Sequence, residues 1–537
     1  MKNFDDIPIL RWQIEAGMES QIESMQAQID EQSIQIDKQA KLIAKLESLV
    51  KQYEWQLLTA KRRLFGVSSE KTDFDIRQLN LFGETEIQPL PELETEEITY
   101  KRNKRKGKRE EDLAGLPVER IDHELPEDKR GCPECGEVMR DIGVDIRREL
   151  KLIPAKVVVV EHATHAYACH NAECQEIGEG TIVVKADAPA PLISGSLASP
   201  SLVAHIAMQK YSNGMPLYRI EKGFQYDGVV ISRQTMSNWV IKCVEMYLFS
   251  IYVLLKSSLL KESVIHADET THQVLREKGR APQTKSYEWM YRTSGHSKRK
   301  IIIFDYKETR GQEHPQEFLK DFKGFLHCDG YQSYHNLHSD ITVVGCWYHA
   351  RSYFEKILKS IPKDKRKGTD AERGVAFINQ LFDLERDFKN LSPENRYKER
   401  LEKSKPVVET FFAWTDSLGA LPKTPLGQAA HYALSQRKYL ENVFKDGRLE
   451  LSNNRAERTI KSFVMGRKAW LFSNTPGGAE ASSIMYSLIE TAKENNLHPY
   501  HYIKFLLETL SYSTTNNLES LLPWSDSLPE CCRVPFN

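Results

Sequence analysis

Ser263-Val-Ile-His-Ala-Asp268 and Phe325-Leu-His-Cys-Asp329-Gly330 are two short apolar runs, each closing on an aspartate. Between them lie Tyr287-Glu-Trp-Met-Tyr-Arg292 and Lys300-Ile-Ile-Ile-Phe-Asp305, which alternate or run apolar as neighbouring strands do, joined through Ser294-Gly295. A helix is predicted over 315–321. Strands, a helix and then a strand parallel to the first would set Asp268 and Asp329 side by side.

That order is the arrangement of the ribonuclease-H-like fold, and its chemistry explains the carboxylates. Phosphodiester cleavage with inversion uses two divalent ions roughly 4 Å apart, one activating the nucleophile and one stabilising the leaving oxygen. Mg²⁺ takes a few carboxylates plus water and substrate phosphate rather than a full protein cage. Taken singly, an Asp at a strand end is more often a turn cap, and Asp329-Gly330 has that shape. A third carboxylate must come from further on. Val344-Gly-Cys-Trp-Tyr-His-Ala-Arg351 reads as a strand entering a helix, and 356–439 is a charged, helix-favouring stretch, taken as an insertion. Beyond it, Leu451-Ser-Asn-Asn-Arg-Ala-Glu457-Arg-Thr-Ile-Lys461 supplies a candidate. Glu457 has a second reading, as the acidic partner of Asn454 in a capping box. Arg458, Lys461, Arg467 and Lys468 follow it as a basic surface suited to a phosphate backbone.

Working outward, 537 residues exceed one core, so several domains are expected, and 40% hydrophobic with 28% charged residues describes a soluble globular chain. No apolar run approaches the roughly 18 residues that span a bilayer, and the first twelve residues lack a secretory pattern, which predicts a cytoplasmic protein without a membrane partner. The net charge of −1 decides nothing about nucleic acid; its segregation along the chain says more.

From Ile22 a heptad seam runs through Met25, Ile29, Gln32, Ile36, Gln39, Ile43, Leu46, Val50 and Tyr53 to Leu57, with nine of eleven positions apolar or aromatic. A repeat of 3.5 over that length predicts a coiled coil and a homo-oligomer, against the alternative of a long helix packed on its own protein. An acidic, proline-bearing stretch over 72–100 reads as linker. It leads into Lys101-Arg-Asn-Lys-Arg-Lys-Gly-Lys-Arg109, seven of nine basic, either solvated or in contact with phosphate. Cys132-Pro-Glu-Cys135-Gly136 has the shape of a zinc knuckle, and Cys169-His-Asn-Ala-Glu-Cys174 follows a β-rich stretch over 156–160 and 163–168. Two close pairs predict a structural Zn²⁺ on Cys132, Cys135, Cys169 and Cys174, with His165 and His170 as substitutes; four unrelated thiols are the alternative.

Helices are predicted over 201–210 and 216–224, then, after Tyr226-Asp-Gly-Val-Val-Ile, over 232–242 with Ser232 as cap. This resembles a helix-turn-helix whose second helix offers Arg233, Gln234, Ser237 and Asn238 to DNA bases; plain helix packing is the competing reading.

Asn453-Asn-Arg-Ala-Glu-Arg-Thr-Ile-Lys461, Gly466-Arg-Lys-Ala-Trp-Leu-Phe472, Tyr486-Ser-Leu-Ile-Glu-Thr-Ala-Lys493 and Pro499-Tyr500 closely resemble the C-terminal signature of the insertion-sequence-66 family of bacterial DDE transposases. Leu64-Phe-Gly with Ser69-Glu-Lys71 resembles the family's N-terminal block. Leu116-Pro-Val-Glu-Arg and the cysteine module resemble its zinc-binding domain, and Cys346-Trp-Tyr-His-Ala-Arg351 its segment after the second Asp. The likeness covers about residues 45 to 515. It implies Asp268, Asp329 and Glu457 as a catalytic triad acting with two Mg²⁺, terminal inverted repeats and target DNA as partners, and small accessory proteins nearby. Water would first free a 3′ hydroxyl, which then attacks target DNA. Cys346 and His349 have a structural reading and a metal- or DNA-contacting one.

The expectation is therefore a multidomain α/β chain with a ribonuclease-H-like catalytic domain and a helical insertion. Its predicted parts are a coiled-coil helix (1–71), charged linker (72–115), zinc-binding module (116–190) and helix-turn-helix-like region (191–258). The catalytic domain (259–355 and 441–500) follows, interrupted by the insertion (356–440), and a C-terminal tail (501–537) ends the chain. The 128 residues between Asp329 and Glu457 (457 − 329) require the insertion to fold out of the way if the triad is to close.

Overall fold

The computed structural model describes residues 156–168, 183–512 and 517–534, with Met25, Gln32, Gln35 and Gln39 as isolated helical positions. The chain divides into Met1–Lys104 and Arg105–Asn537, and the elements named below all belong to the second unit. The remainder of the heptad seam, the linker, the basic run and Cys132, Cys135, Cys169 and Cys174 lie outside the described residues.

Of the β-rich stretch expected before Cys169, only β1 (Ala166–Ala168) is a strand, paired antiparallel with β2 (Val183–Lys185). Residues 156–165 carry no strand, although Val157 to Val160 are the residue types a strand would use.

The central sheet has five strands: β3 (Val264–Gln273), β4 (Lys285–Thr293), β5 (Ile302–Lys307), β6 (Gly324–His327) and β7 (Ile341–Val344), in the order β5-β4-β3-β6-β7. The first three form an antiparallel meander; β6 and β7 run parallel to β3. β3 is longer than its apolar half suggests. It continues past Asp268 through Glu269, Thr270, Thr271 and His272, so the aspartate sits mid-strand. These polar residues remain in a buried strand because each finds a partner, as a buried polar group must. Arg310 and Tyr334 hold Glu269, and Glu288 and Ser473 hold His272.

Strand β5 lies at the edge of the sheet, where unpaired main-chain groups invite wrong pairing. Helix α12 (Pro476–Glu494) covers it, contributing a stripe of small hydroxyl residues spaced four apart. Ser487 Oγ accepts from Phe304 N at 2.7 Å, and Thr491 Oγ1 accepts from Ile302 N at 3.0 Å. The small side chains let the helix approach closely, and their hydroxyls replace the missing strand.

N-terminal to the sheet come α1 (Pro200–Ala207), α2 (Leu217–Tyr226) and α3 (Arg233–Cys243), close to the predicted helices. Ser232 caps α3, accepting from Thr235 N at 3.1 Å. A π turn (Val244–Leu248) joins α3 to α4 (Phe249–Leu259). The resulting 27-residue helix Arg233–Leu259 is long and apolar enough to span a bilayer, which corrects the expectation that no run comes near that length. Its apolar character has a local cause, since Val240, Val244, Leu248, Ile251, Leu255 and Leu259 are buried within the fold.

Short α5 (Glu313–Phe318) precedes β6, starting and stopping slightly earlier than predicted. After β7 the chain enters α6 (Trp347–Ser360), α7 (Asp370–Asp387), α8 (Pro393–Glu399), α9 (Lys405–Ser417) and α10 (Pro425–Leu440). The insertion does not stand apart as a separate core. Trp347, Phe354, Phe411, Phe412 and Trp414 form one apolar cluster with Val264 of β3 and Val344 of β7. Its two ends are also tied together. Trp347 N donates to Leu451 O at 2.9 Å, and Trp347 Nε1 donates to Leu440 O at 3.1 Å. From there the chain enters α11 (Asn454–Trp470), α12 and α13 (Pro499–Tyr512).

Candidate active site and metal centre

Strand pairing sets two of the carboxylates. His266 of β3 pairs with His327 of β6, each two residues before an aspartate, so the register carried forward brings Asp268 level with Asp329. Glu457 arrives from the first turn of α11, which packs on β3. The three carboxylates feel one another: burial raises the Asp268 pKa well above the usual range, and Glu269, Asp329 and Glu457 add to it. Burial also raises Glu457, with Asp329 pushing the same way and His349 opposing.

Each carboxylate has its own surroundings. Asp268 Oδ1 accepts from Glu269 N at 2.9 Å, while its Oδ2 is buried without a hydrogen-bond partner. Asp329 Oδ1 accepts from Tyr331 N at 2.9 Å, so the turn-cap reading of Asp329-Gly330 holds alongside its place in the cluster. A glycine is required next to it, because a Cβ on Gly330 would stand 2.9 Å from the Tyr432 ring and hydroxyl of α10. Glu457 Oε1 is buried without a hydrogen-bond partner, its nearest charged neighbour being His349 Nδ1 at 3.8 Å.

The capping-box reading of Glu457 is not what forms. Asn453 is the cap residue, Asn454 begins the helix, and the cap makes no side-chain hydrogen bond to it. Asn453 is engaged elsewhere: its Oδ1 accepts from His266 Nδ1 at 2.9 Å and its Nδ2 donates to Ala267 O at 2.8 Å. His266 stacks on His327, ring centroids 4.8 Å apart and nearly coplanar, and His327 donates through Nε2 to Glu450 O. Burial lowers both histidines, His327 to about 3.

Sequence reasoning missed several of these residues. Glu269 is buried beside Asp268, held by Arg310 and Tyr334, and its pKa is raised to about 7 by burial first and Asp329 next, against the pull of Arg310. His266, His327 and Glu450 carry no motif that marks them, and Asn453, though it opens the C-terminal signature, has no role that the signature announces. The available signal was one acidic and two histidine residues at inward positions of otherwise apolar strands.

The basic residues after Glu457 separate into two groups. Arg458, Lys461 and Lys468 are exposed, and with Met465 they follow a three-four-three spacing that makes one helical stripe. Arg467 is turned inward instead. It donates to Thr270 Oγ1 at 3.1 Å, to Thr271 Oγ1 at 2.7 Å and to the Thr271 carbonyl, which pins α11 to the far end of β3. On α3, Arg233, Gln234 and Asn238 are exposed and Ser237 half-buried. Gln234 Nε2 donates to Asn238 Oδ1 at 3.0 Å, and Arg233 N donates to Glu221 Oε1 of α2 at 3.3 Å.

The sequence matches known families and curated proteins. Residues 195–481 match the model described as Transposase IS66 family, and 129–171 match the zinc-finger binding domain of transposase IS66. Residues 52–121 match a family leucine-zipper model described as Transposase C of IS166 homeodomain, and 487–524 match the IS66 C-terminal element. The zinc-finger match includes Cys132, Cys135 and Cys169 and stops short of Cys174. Among curated proteins, the uncharacterized protein y4qI of Sinorhizobium fredii is 30% identical over 427 residues, 76% of each chain. Uncharacterized protein y4jD of the same organism is 28% identical over 422 residues, 76% of this chain and 80% of its own length.

Proposed function

The chain belongs to the IS66 family of transposases, and on that premise we propose that it cuts the ends of its element and joins them to target DNA at Asp268, Asp329 and Glu457. The observation carrying this reading is the convergence of three carboxylates from β3, the turn after β6 and the first turn of α11, with Asp268 Oδ2 and Glu457 Oε1 buried and without hydrogen-bond partners. Buried like charges without partners are costly, and a cation between them removes the cost. The donors are all oxygen, which suits a hard divalent ion such as Mg²⁺. Two such ions bound there would activate the attacking oxygen and offset charge on the leaving one.

The sheet order β5-β4-β3-β6-β7, antiparallel on one side of β3 and parallel on the other, supports a ribonuclease-H-like catalytic domain. The chain's own residues supply position. Asn453 fixes the helix bearing Glu457 to the strand bearing Asp268, and the His266–His327 stack packs beside it. Arg458, Lys461 and Lys468 lead the phosphate backbone away from the site. Hydrolysis at each element end breaks a phosphodiester and frees a 3′ hydroxyl. That hydroxyl then attacks a target phosphodiester and displaces the target strand's 3′ oxygen.

Recognition of the terminal inverted repeats is assigned to the zinc finger, with Cys132, Cys135, Cys169 and Cys174 as the Zn²⁺ ligands, and to Arg233, Gln234, Ser237 and Asn238 on α3. The heptad seam would pair copies of the chain, small accessory proteins would assist, and the work would take place in a bacterial cytoplasm. The test is a strand-transfer assay with Mg²⁺ and pre-cut repeat ends. Joined product from wild type and none from Asp268→Asn supports the reading; joining by Asp268→Asn overturns it.

A further inference from the structure

Beside the carboxylates lies a second donor set of different chemistry. The Sγ of Cys346, a ring nitrogen of His349 and a carboxylate oxygen of Glu457 all lie within 4.8 Å of one another. His349 Nδ1 is 3.8 Å from Glu457 Oε1. Both atoms are buried and neither has a hydrogen-bond partner. Glu457 is only 4% exposed, so its unpartnered oxygen is aimed into the cluster rather than toward solvent.

Cys346 is placed as a ligand would be. It is the cap residue of α6, which sets its side chain at the start of the helix that carries His349. Asn453 N donates to its Sγ at 3.2 Å, which holds the sulfur in place beside the helix bearing Glu457. His349 stands one turn into the same helix, at the i, i+3 spacing that puts two side chains on one face.

We propose that Cys346, His349 and Glu457 form a binding site for a thiophilic divalent cation of the Zn²⁺ class, separate in chemistry from the all-oxygen site but sharing Glu457 with it. Thiolate, imidazole and carboxylate are the donors Zn²⁺ takes, whereas Mg²⁺ has little use for sulfur or nitrogen. Around a tetrahedral zinc the donor atoms sit about 3.5 Å apart, so side-chain rotations of about 1 Å close the set. His349 keeps a side-chain exposure of 28%, which leaves a path for water as the fourth ligand. Binding displaces the thiol proton of Cys346 and any proton on His349. Because Glu457 cannot face both sites at full strength, Zn²⁺ here withdraws a carboxylate from the oxygen site. This regulatory consequence rests on the proposed transposase reading; the binding site itself does not.

The test uses the full chain, equilibrated with buffered free Zn²⁺ and then assayed for zinc per chain by plasma mass spectrometry. Wild type is expected to hold one zinc more than Cys346→Ser and His349→Asn, which retain the zinc-finger cysteines. Glu457→Gln is expected to weaken that additional zinc by more than the ~10–100-fold that loss of an outer-shell partner causes. With Co²⁺ in place of Zn²⁺, the difference spectrum of wild type minus Cys346→Ser should show a thiolate-to-cobalt charge-transfer band, which reports the sulfur even if one variant folds poorly. Equal zinc in wild type and both variants, together with a flat cobalt difference spectrum, overturns the proposal. Asp268→Asn should keep the additional zinc while losing strand transfer, so failure of either reading shows separately.

Discussion

Asn453 donates through Nδ2 to the main-chain oxygen of Ala267 at 2.8 Å, one residue before Asp268 on the strand and four before Glu457 on the helix. One side chain therefore sets the spacing between a strand-borne and a helix-borne carboxylate. Asn453→Ala strands the Ala267 carbonyl and the His266 Nδ1 hydrogen in a buried place. Each group left without its partner costs ~1–3 kcal/mol. Urea denaturation should show a destabilisation on that order, and strand transfer per folded molecule should fall as well. A variant as unstable as expected but fully active would refute the positioning role.

Removing one of the proposed catalytic carboxylates should stabilise the metal-free protein. Asp268→Asn takes away one charge from a cluster in which burial and three neighbouring acids all oppose ionisation. In chelator, its thermal midpoint should rise by a few degrees, equivalent to about 1 kcal/mol, the usual exchange of stability for function at an active site. Mg²⁺ should then raise the wild-type midpoint more than that of the variant. A fall in the midpoint in chelator would contradict this.

The same cluster gives stability a definite pH dependence. Glu269 moves from an ordinary value of 4.5 to about 7 in the fold, and Asp268 and Glu457 move in the same direction. The folded state then holds protons that the unfolded chain releases. Glu269 contributes its stability fully below about pH 4.5 and loses it as the pH rises toward 7, a decline on the order of 1–3 kcal/mol. Glu450 behaves oppositely: burial works against its ionisation, but His266 and Arg455 outweigh it and lower it to about 2, so its contribution is lost only as pH falls below 4.5. In chelator, Glu269→Gln should flatten the wild-type decline between pH 4.5 and 7. An unchanged slope would remove Glu269 as its source.

Lys461, Lys468 and Arg467 should separate by salt. Replacing either lysine with alanine should lower the slope of log affinity against log salt by ~0.9 for each phosphate it no longer neutralises, with little change in stability. Arg467→Ala should leave the slope alone and lower stability, because its guanidinium is bound to Thr270 and Thr271. A slope change for Arg467 alone would reverse the assignment of the two groups.

Local chemistry made part of this legible. Alternation and apolar runs located the strands that carry Asp268 and lead to Asp329, and Ser232 announced the start of α3. Glu457 lies in the first turn of its helix. What escaped depends on meetings between distant positions. His266 reaches Asn453 across 187 residues and Arg467 reaches Thr270 across 197, and no periodicity encodes such a pairing. The continuation of β3 past Asp268 escaped for the same reason, since Glu269 and His272 look like loop residues until Arg310, Tyr334, Glu288 and Ser473 arrive.

The clasp at Trp347, which reaches Leu440 across 93 residues and Leu451 beyond it, also bears on the order of folding. Joining Asp329 to Glu457 by diffusion would mean closing a long loop, and long-range closure slows folding. If the aromatic helices condense first, their two ends already lie together, and the loop left to close is short. The stretch that lengthens the chain between two clustered acids thus shortens the search that unites them.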